Sequence, residues 1–316
     1  MRRAGRRISR FVRAGFANLN FKNMRTVRSL MRRRRGEGPS QVFGATNDSL
    51  WLWIQTTGSS LIPELAQLIP RLPDPEVQRR FTGSSGTQTL REAMAFYRLV
   101  KELANQHRPD GYDGVRDVVE FGCGWGRMIR FFIKDVEPAH LTGIDCLPDV
   151  IEICESTNRW ATFDCVAPTP PVNLPDEFAD LVYAYSVFSH LSEETHLAWI
   201  EEFCRVLRPG GLLVATTRGR AYLDVCANLR NQVSIAPHQT GAAKAFVDYD
   251  GWVARYERGE YCHDPVGGGK GLSSQFFGET LIPRRYAEQV WKQWLPVVDY
   301  ISDPARCPQD VIVARK

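Results

Sequence analysis

Nine residues constrain the fold of this chain more than any other stretch: Val118–Val119–Glu120–Phe121 running into Gly122–Cys123–Gly124–Trp125–Gly126. An apolar strand reaches three glycines at alternate positions, and a helical pattern begins near Arg127. A strand that becomes a helix through glycines brings bare backbone up to a ligand, with the helix N-terminus behind it. Asp145 ends the next apolar segment, 19 positions beyond Gly126. A carboxylate there can accept both hydroxyls of an adenosine ribose, in a nicotinamide site as well as in others. The glycine spacing separates the options. Dinucleotide sites favour GxGxxG, which makes room for a pyrophosphate, whereas here the third glycine follows two residues after the second, in the pattern ExGxGxG.

From Arg116 onward short apolar segments alternate with helical ones, the signature of a parallel α/β sheet. The strands predicted are Arg116–Gly122, His140–Cys146, Ala161–Val166, Asp180–Ser186 and Gly211–Thr217. Before the last of these, Ser192 caps a helix whose buried stripe is Leu197, Ile200, Phe203, Cys204 and Leu207, and Pro209–Gly210–Gly211 ends it. Val297–Ile301 and Asp310–Ala314 form a terminal antiparallel hairpin. Between residues 218 and 280 the rhythm breaks down, which marks an insert. Ahead of the sheet, residues 50–80 mix apolar runs with prolines and predict short helices, and a longer helix spans 88–106 with Leu90, Ala93, Phe96, Leu99, Val100 and Leu103 on one face.

The 118–126 segment resembles motif I of class I S-adenosylmethionine-dependent methyltransferases, and Gly143–Ile144–Asp145 resembles the motif that follows it. Phe178–Ala184 is similar to the fourth-strand motif and Arg205–Gly211 to the "RVLxPGG" turn before the fifth strand. The resemblance covers roughly 80–316. It implies a Rossmann-like, doubly wound, seven-stranded sheet with a terminal antiparallel hairpin, preceded by an N-terminal helical extension. The division it suggests is a basic arm and linker at 1–40, a helical cap at 41–110 and the methyltransferase domain at 111–316. S-adenosylmethionine is the cofactor implied. Carried over by position, Glu120 anchors the loop near the methionine amino group, Gly122, Cys123 and Gly124 pass beneath the cofactor, and Gly126 permits close helix packing. Asp145 holds the ribose, Cys146 and Leu147 flank the adenine, and Asp164 and Cys165 are the candidates for its amino group. Tyr185 and Ser186 lie towards the methionine end.

Methyl transfer to a hydroxyl requires alignment, exclusion of water and removal of a proton. His190, in Tyr185–Leu191, titrates near neutrality and is the candidate general base; the alternative is a structural hydrogen-bonding role. Within the insert, Asp248, Asp250, Tyr256, Tyr261, His263 and Asp264 are candidates for a polar acceptor, and Gly267–Gly271 for a lid. Phe81–Gly86 is a second segment placed to close over the cofactor. No metal is expected, because Asp248, Asp250 and His263 match no familiar ligand spacing. The expected reaction is O-methylation of a hydroxylated small molecule or glycan, since the layout is similar to bacterial members of the family associated with surface-glycan synthesis.

Charge is unevenly spread. The net charge is +4, yet residues 1–36 hold twelve Arg and one Lys and no acid, so the remainder is acidic. Ile8, Phe11, Val12 and Leu19 fall near helical spacing among arginines, the pattern of a helix able to lie on an anionic membrane face. A soluble tail and a grip on nucleic-acid phosphates, as in an RNA methyltransferase, are the other readings of this arm. An S-adenosylmethionine-binding interaction protein without turnover is a further alternative. The eight scattered cysteines include no CxxC pair and fit a reducing compartment. With no export signal or spanning segment evident, the expected location is the cytoplasm, peripheral to the inner face of the membrane where the arm docks.

Overall fold

The computed structural model describes residues 19–266 and 272–316. The amphipathic pattern around Ile8, Phe11 and Val12 and the glycine run 267–271 therefore lie outside the described residues.

Among the described residues there are nine strands: β1 Val118–Phe121, β2 Leu141–Asp145, β3 Thr162–Cys165, β4 Ala179–Ala184, β5 Leu207–Thr217, β6 Cys262–Asp264, β7 Glu279–Leu281, β8 Val297–Ile301 and β9 Asp310–Arg315. Seven of them form one sheet in the order β3-β2-β1-β4-β5-β9-β8. The first five run parallel, and β9 enters antiparallel between β5 and β8. This is the doubly wound sheet with a terminal antiparallel hairpin. The order reverses at β1, so the carboxyl ends of β1 and β4 flank the crevice where open α/β sheets bind ligands.

Both faces of the sheet are covered, which explains its near-continuous apolar strands. Successive residues alternate between two cores. Val118, Leu181, Tyr183, Leu212, Val214, Val311 and Val313 join one. Val119, Phe121, Val182, Ala184, Leu213, Ala215 and Ile312 join the other. The first core is closed by the N-terminal helices and by Thr87–His107, whose Leu90, Ala93, Phe96, Leu99, Val100 and Leu103 are buried as the periodicity predicts. The second is closed by helix Glu193–Val206, which Ser192 caps by accepting from the Thr195 N–H. That helix stops at Val206, and Arg208–Gly211 already belong to β5, because Lys316 at the chain end pairs with Gly210 and Gly211 and holds them extended.

Residues 39–82 form short helical pieces, as the prolines require. They clamp the segment after the glycine loop. Trp51 Nε1 donates to the Phe131 carbonyl at 3.1 Å, Lys134 Nζ to the Thr46 carbonyl at 2.8 Å, and Arg130 Nε to Gln55 Oε1 at 3.0 Å. The helix expected from about Arg127 is accordingly a single turn, Ile129–Phe132, followed by turns. Residues 19–33 are helical. Their Val27 is fully buried in the first core, with Met24, Leu30 and Met31 packed against it, while Phe21, Arg25, Arg28 and Arg32 face outward along one ridge.

The insert folds around a third cluster of Leu223, Cys226, Leu229, Ala242, Ala245, Phe246, Cys262 and Leu281. Helices Ala221–Arg230 and Tyr249–Glu257 pack with the antiparallel pair β6–β7, which places the insert over the carboxyl end of β5. Among the described residues no helix is long and apolar enough to cross a membrane.

Candidate active site

The glycine loop is shaped by its neighbours. Gly122 has φ +70°, and a Cβ there would lie 2.3 Å from Val187 Cγ2. Gly124 has φ +52°, and a Cβ there would meet nothing within 4 Å. At Gly122 a side chain is barred by protein; at Gly124 the space beside the backbone is open. Gly126 also has positive φ and lies in ordinary contact with Cys154 and Ile129.

Asp145 is drawn onto this loop. The Gly124 N–H donates to its Oδ2 at 2.9 Å and the Leu147 N–H to its Oδ1 at 3.1 Å. These bonds orient the carboxylate and fix the loop to the end of β2. A carboxylate accepts about four hydrogen bonds, which is the chemistry that a ligand's hydroxyls need. Cys146 and Leu147 follow, each partly buried. On the edge strand β3, Cys165 pairs in register with Asp145, and Asp164 with Ile144. Asp164 and Cys165 are both exposed, beside the pocket's outer end.

Glu120 lies beneath the loop on the face of the first core. Its Oε2 accepts from the Ile129 N–H at 2.9 Å and from the Tyr183 hydroxyl at 3.2 Å. It is thus the floor to which the turn Gly122–Met128 is tied. Burial pushes its carboxyl up to about 8, against the downward pull of those two hydrogen bonds and of Arg127. Cys123 is also buried, its thiol raised by a hydrogen bond with Cys154 and by burial, and such a thiol is inert.

Tyr185 follows β4. Its ring meets Phe96 edge-on at 4.8 Å and lies under the Arg127 guanidinium at 5.1 Å. Arg127 also reaches Thr89 Oγ1 at 3.3 Å and Glu92 at 3.2 Å. The first turns of helix Thr87–His107 therefore adjoin the glycine loop, and the helix begins with no side-chain cap. Ser186 has φ +61°, a strained value for a residue with a side chain. Its N–H donates to Thr216 Oγ1 at 2.7 Å, and Gln309 Nε2 donates to its hydroxyl at 2.9 Å.

His190 sits where the loop after β4 meets the insert. Its ring stacks on Phe277 at 4.8 Å, and Nδ1 lies 2.8 Å from the Gly278 carbonyl. A carbonyl can only accept, so Nδ1 carries the proton and Nε2 is the basic atom. His263 has the same tautomer for a longer reason. The Thr280 hydroxyl donates to the Leu191 carbonyl at 2.8 Å, so it must accept from His263 Nδ1, also at 2.8 Å. His263 Nε2 is then a buried lone pair, and it has no partner among the described residues. Burial also lowers the His263 pKa and favours this neutral form.

The other insert candidates serve the fold. Asp248 caps helix Tyr249–Glu257 by accepting from the Gly251 N–H at 3.1 Å. Asp264 accepts from the Phe246 N–H at 2.7 Å, and the Tyr261 hydroxyl donates to the Leu191 carbonyl at 3.0 Å. Asp250 is exposed and Tyr256 partly buried. Residues not singled out from the sequence lie where β5 enters the insert. They are Thr217 and Arg218 at the end of β5, and Tyr222, whose hydroxyl donates to Glu279 at 2.9 Å. No spacing signal marks them, because the insert brings them together in space. Among the described residues no group of three or more His, Cys, Asp or Glu side chains is arranged to hold a metal.

Residues 118–211 match the model of a family described as methyltransferase domain. A malonyl-[acyl-carrier protein] O-methyltransferase of Halalkalibacterium halodurans is 26% identical over 178 residues, covering 52% of this chain and 62% of its own length. A fatty-acid O-methyltransferase of Mycolicibacterium smegmatis is 32% identical over 100 residues, covering 31% of this chain and 36% of its own. This chain thus spans less than two thirds of either relative. An S-adenosylmethionine-dependent methyltransferase of Clostridium acetobutylicum aligns over 75% of this chain and 94% of its own, at 11% identity and a TM-score of 0.48.

Proposed function

We propose that this chain is an S-adenosylmethionine-dependent methyltransferase that methylates an oxygen of a hydroxylated small molecule or glycan. The observation that carries the reading is the glycine loop held against Asp145, with Gly124 open to a ligand exactly where no protein atom approaches its missing Cβ. The ribose hydroxyls would meet Asp145, and the methionine end would lie along Gly122, Tyr185 and Ser186. Its carboxylate would find Arg127 and the uncapped start of helix Thr87–His107, both favourable to an anion. The names of both curated relatives specify transfer to oxygen, which favours the same acceptor atom here.

When bound, the cofactor supplies a methyl group activated on a sulfonium sulfur. His190 Nε2 would accept the proton of the acceptor hydroxyl as that oxygen takes the methyl group, and the transfer would leave a methyl ether, S-adenosylhomocysteine and a protonated His190. The insert excludes water from this point.

The location that goes with this reading is the cytoplasm, with the arm on the anionic inner face of a membrane. The outward ridge of Phe21, Arg25, Arg28 and Arg32 pairs one exposed aromatic with three cations, which suits a headgroup layer. Binding to RNA in place of anionic vesicles would favour the RNA methyltransferase reading.

The test is calorimetry with S-adenosylmethionine, S-adenosylhomocysteine and NAD(H). Both sulfur compounds should bind, and Asp145→Ala should weaken them by about tenfold or more, the value of a charge-assisted hydrogen bond. Binding of NAD(H) with no response to either sulfur compound would refute the assignment. Labelled-methyl transfer into fractionated extracts then separates an enzyme from a binding protein without turnover.

A further inference from the structure

We propose that Arg218 is an oxyanion subsite, so that the methyl acceptor carries a carboxylate or phosphate group besides its reactive hydroxyl. This rests on the assignment of the acceptor side to the crevice between β4, β5 and the insert.

Arg218 follows the last residue of β5 and is partly buried. Its backbone bridges to Leu281 of β7, which carries the side chain under the insert. The guanidinium lies over the Tyr222 ring, 4.4 Å from its centre, and its charge is felt at Tyr185, Tyr222, Cys226 and Cys307. It therefore stands between the residue after β4 and the first helix of the insert. Yet it makes no hydrogen bond or ion pair among the described residues, and its Nε is buried without an acceptor. The segments outside the described residues, 1–18 and 267–271, contain no Asp or Glu that would supply one.

The neighbouring acids are occupied. Glu279 accepts from the Tyr222 hydroxyl, and Asp310 accepts from Tyr300 and Ser302. Other partly buried arginines of the chain are paired: Arg108 reaches the carbonyls of Asp180 and Gly210, and Arg205 reaches Glu202 and Asp176. A guanidinium Nε–H removed from water without an acceptor is unfavourable unless a ligand restores one. Its planar fork matches a carboxylate or phosphate. A neutral acceptor would leave the cation unanswered.

The test titrates succinate and inorganic phosphate into the protein by calorimetry, with and without S-adenosylhomocysteine, for wild type, Arg218→Gln and Arg218→Lys. At least one probe should bind wild type. Arg218→Gln should lose about tenfold or more, as expected for a lost charge-assisted contact, and Arg218→Lys should recover part of it, with S-adenosylhomocysteine affinity unchanged in both. The probe that binds more tightly names the carboxylate or the phosphate. Failure of both probes on wild type, or equal binding by Arg218→Gln, overturns the subsite. Should the glutamine variant not fold, an Arg218→Lys affinity for the preferred probe equal to or above wild type would do the same, because a fork is then not required. Failure of S-adenosylhomocysteine to bind, with oxyanion binding intact, would remove the cofactor reading and leave the subsite standing.

Discussion

Replacing Glu120 by Gln should change how stability depends on pH, and the size of the change follows from burial. Glu120 is 2% exposed, and its carboxyl titrates at about 8 in the folded protein against 4.5 for an ordinary glutamate. Between those values the folded state binds a proton that the unfolded state has released. Stability is therefore highest below about pH 4.5 and falls as pH rises towards 8, by ~1.4 kcal/mol for each pH unit. The loss attributable to this one group is about 3 kcal/mol at neutrality and approaches ~5 kcal/mol near pH 9. Glutamine retains an oxygen for the Ile129 N–H and the Tyr183 hydroxyl but carries no titratable proton. Any constant penalty from its amide cancels when the two proteins are compared across pH. The assay is chemical denaturation of wild type and Glu120→Gln at intervals from pH 5 to 9. The difference should grow steadily in favour of the variant. Parallel stability curves would show that Glu120 is not held protonated, and that the two hydrogen bonds and Arg127 outweigh burial. Cofactor binding adds a second reading. If Glu120 meets a cationic amino group, S-adenosylhomocysteine should lower its pKa and bind more tightly as pH rises through 8, whereas the variant should show no such slope.

Three further outcomes follow from the same geometry. Gly122→Ala places a methyl group against Val187 in a left-handed backbone and should destabilise the protein by about 2 kcal/mol or more, whereas Gly124→Ala, which meets only open space, should chiefly weaken S-adenosylhomocysteine; denaturation and calorimetry on both variants separate these effects. Arg130, 1% exposed and bonded to Gln55 and the Pro70 carbonyl, is lowered to about 9 by burial alone; Arg130→Ala should cost about 3 kcal/mol through the cavity and the broken clamp, and an unchanged denaturation midpoint would refute that role. His190→Ala should cut turnover by about 10²-fold or more while S-adenosylhomocysteine affinity stays within a few-fold, and unchanged turnover would remove the general base.

The glycine loop, Asp145, the strand sequence and the two long helices were legible in the sequence because each is a local pattern. Alternating strand residues, a capped helical stripe and glycines at fixed offsets are dictated by the chain's own geometry over a few residues. Most strand edges shifted by one or two positions where tertiary pairing decides them, and β5 begins four positions earlier than expected, at Leu207, because Lys316 pairs with Gly210 and Gly211. Three glycines also signalled a helix from about Arg127, but the clamp of Trp51, Gln55 and Arg130 leaves one turn. In the insert, residue type suggested Asp248 and Asp264 as ligand-binding, whereas the fold spends their oxygens on the N–H groups of Gly251 and Phe246. His263 and Arg218 stand out there only by buried nitrogens that have no partner among the described residues.

That contrast divides what each level determined. The sequence by itself determined the sheet, its handed alternation and the loop at its switch point, since period and spacing need no distant partner. Only the tertiary structure decided which polar atoms are satisfied. Arg130 meets Gln55 across 75 residues, and Tyr222 meets Glu279 across 57. Arg218 Nε is buried with no such partner among the described residues. A hydrogen bond is decided in space to within a few tenths of an ångström, and no pattern along the chain records it.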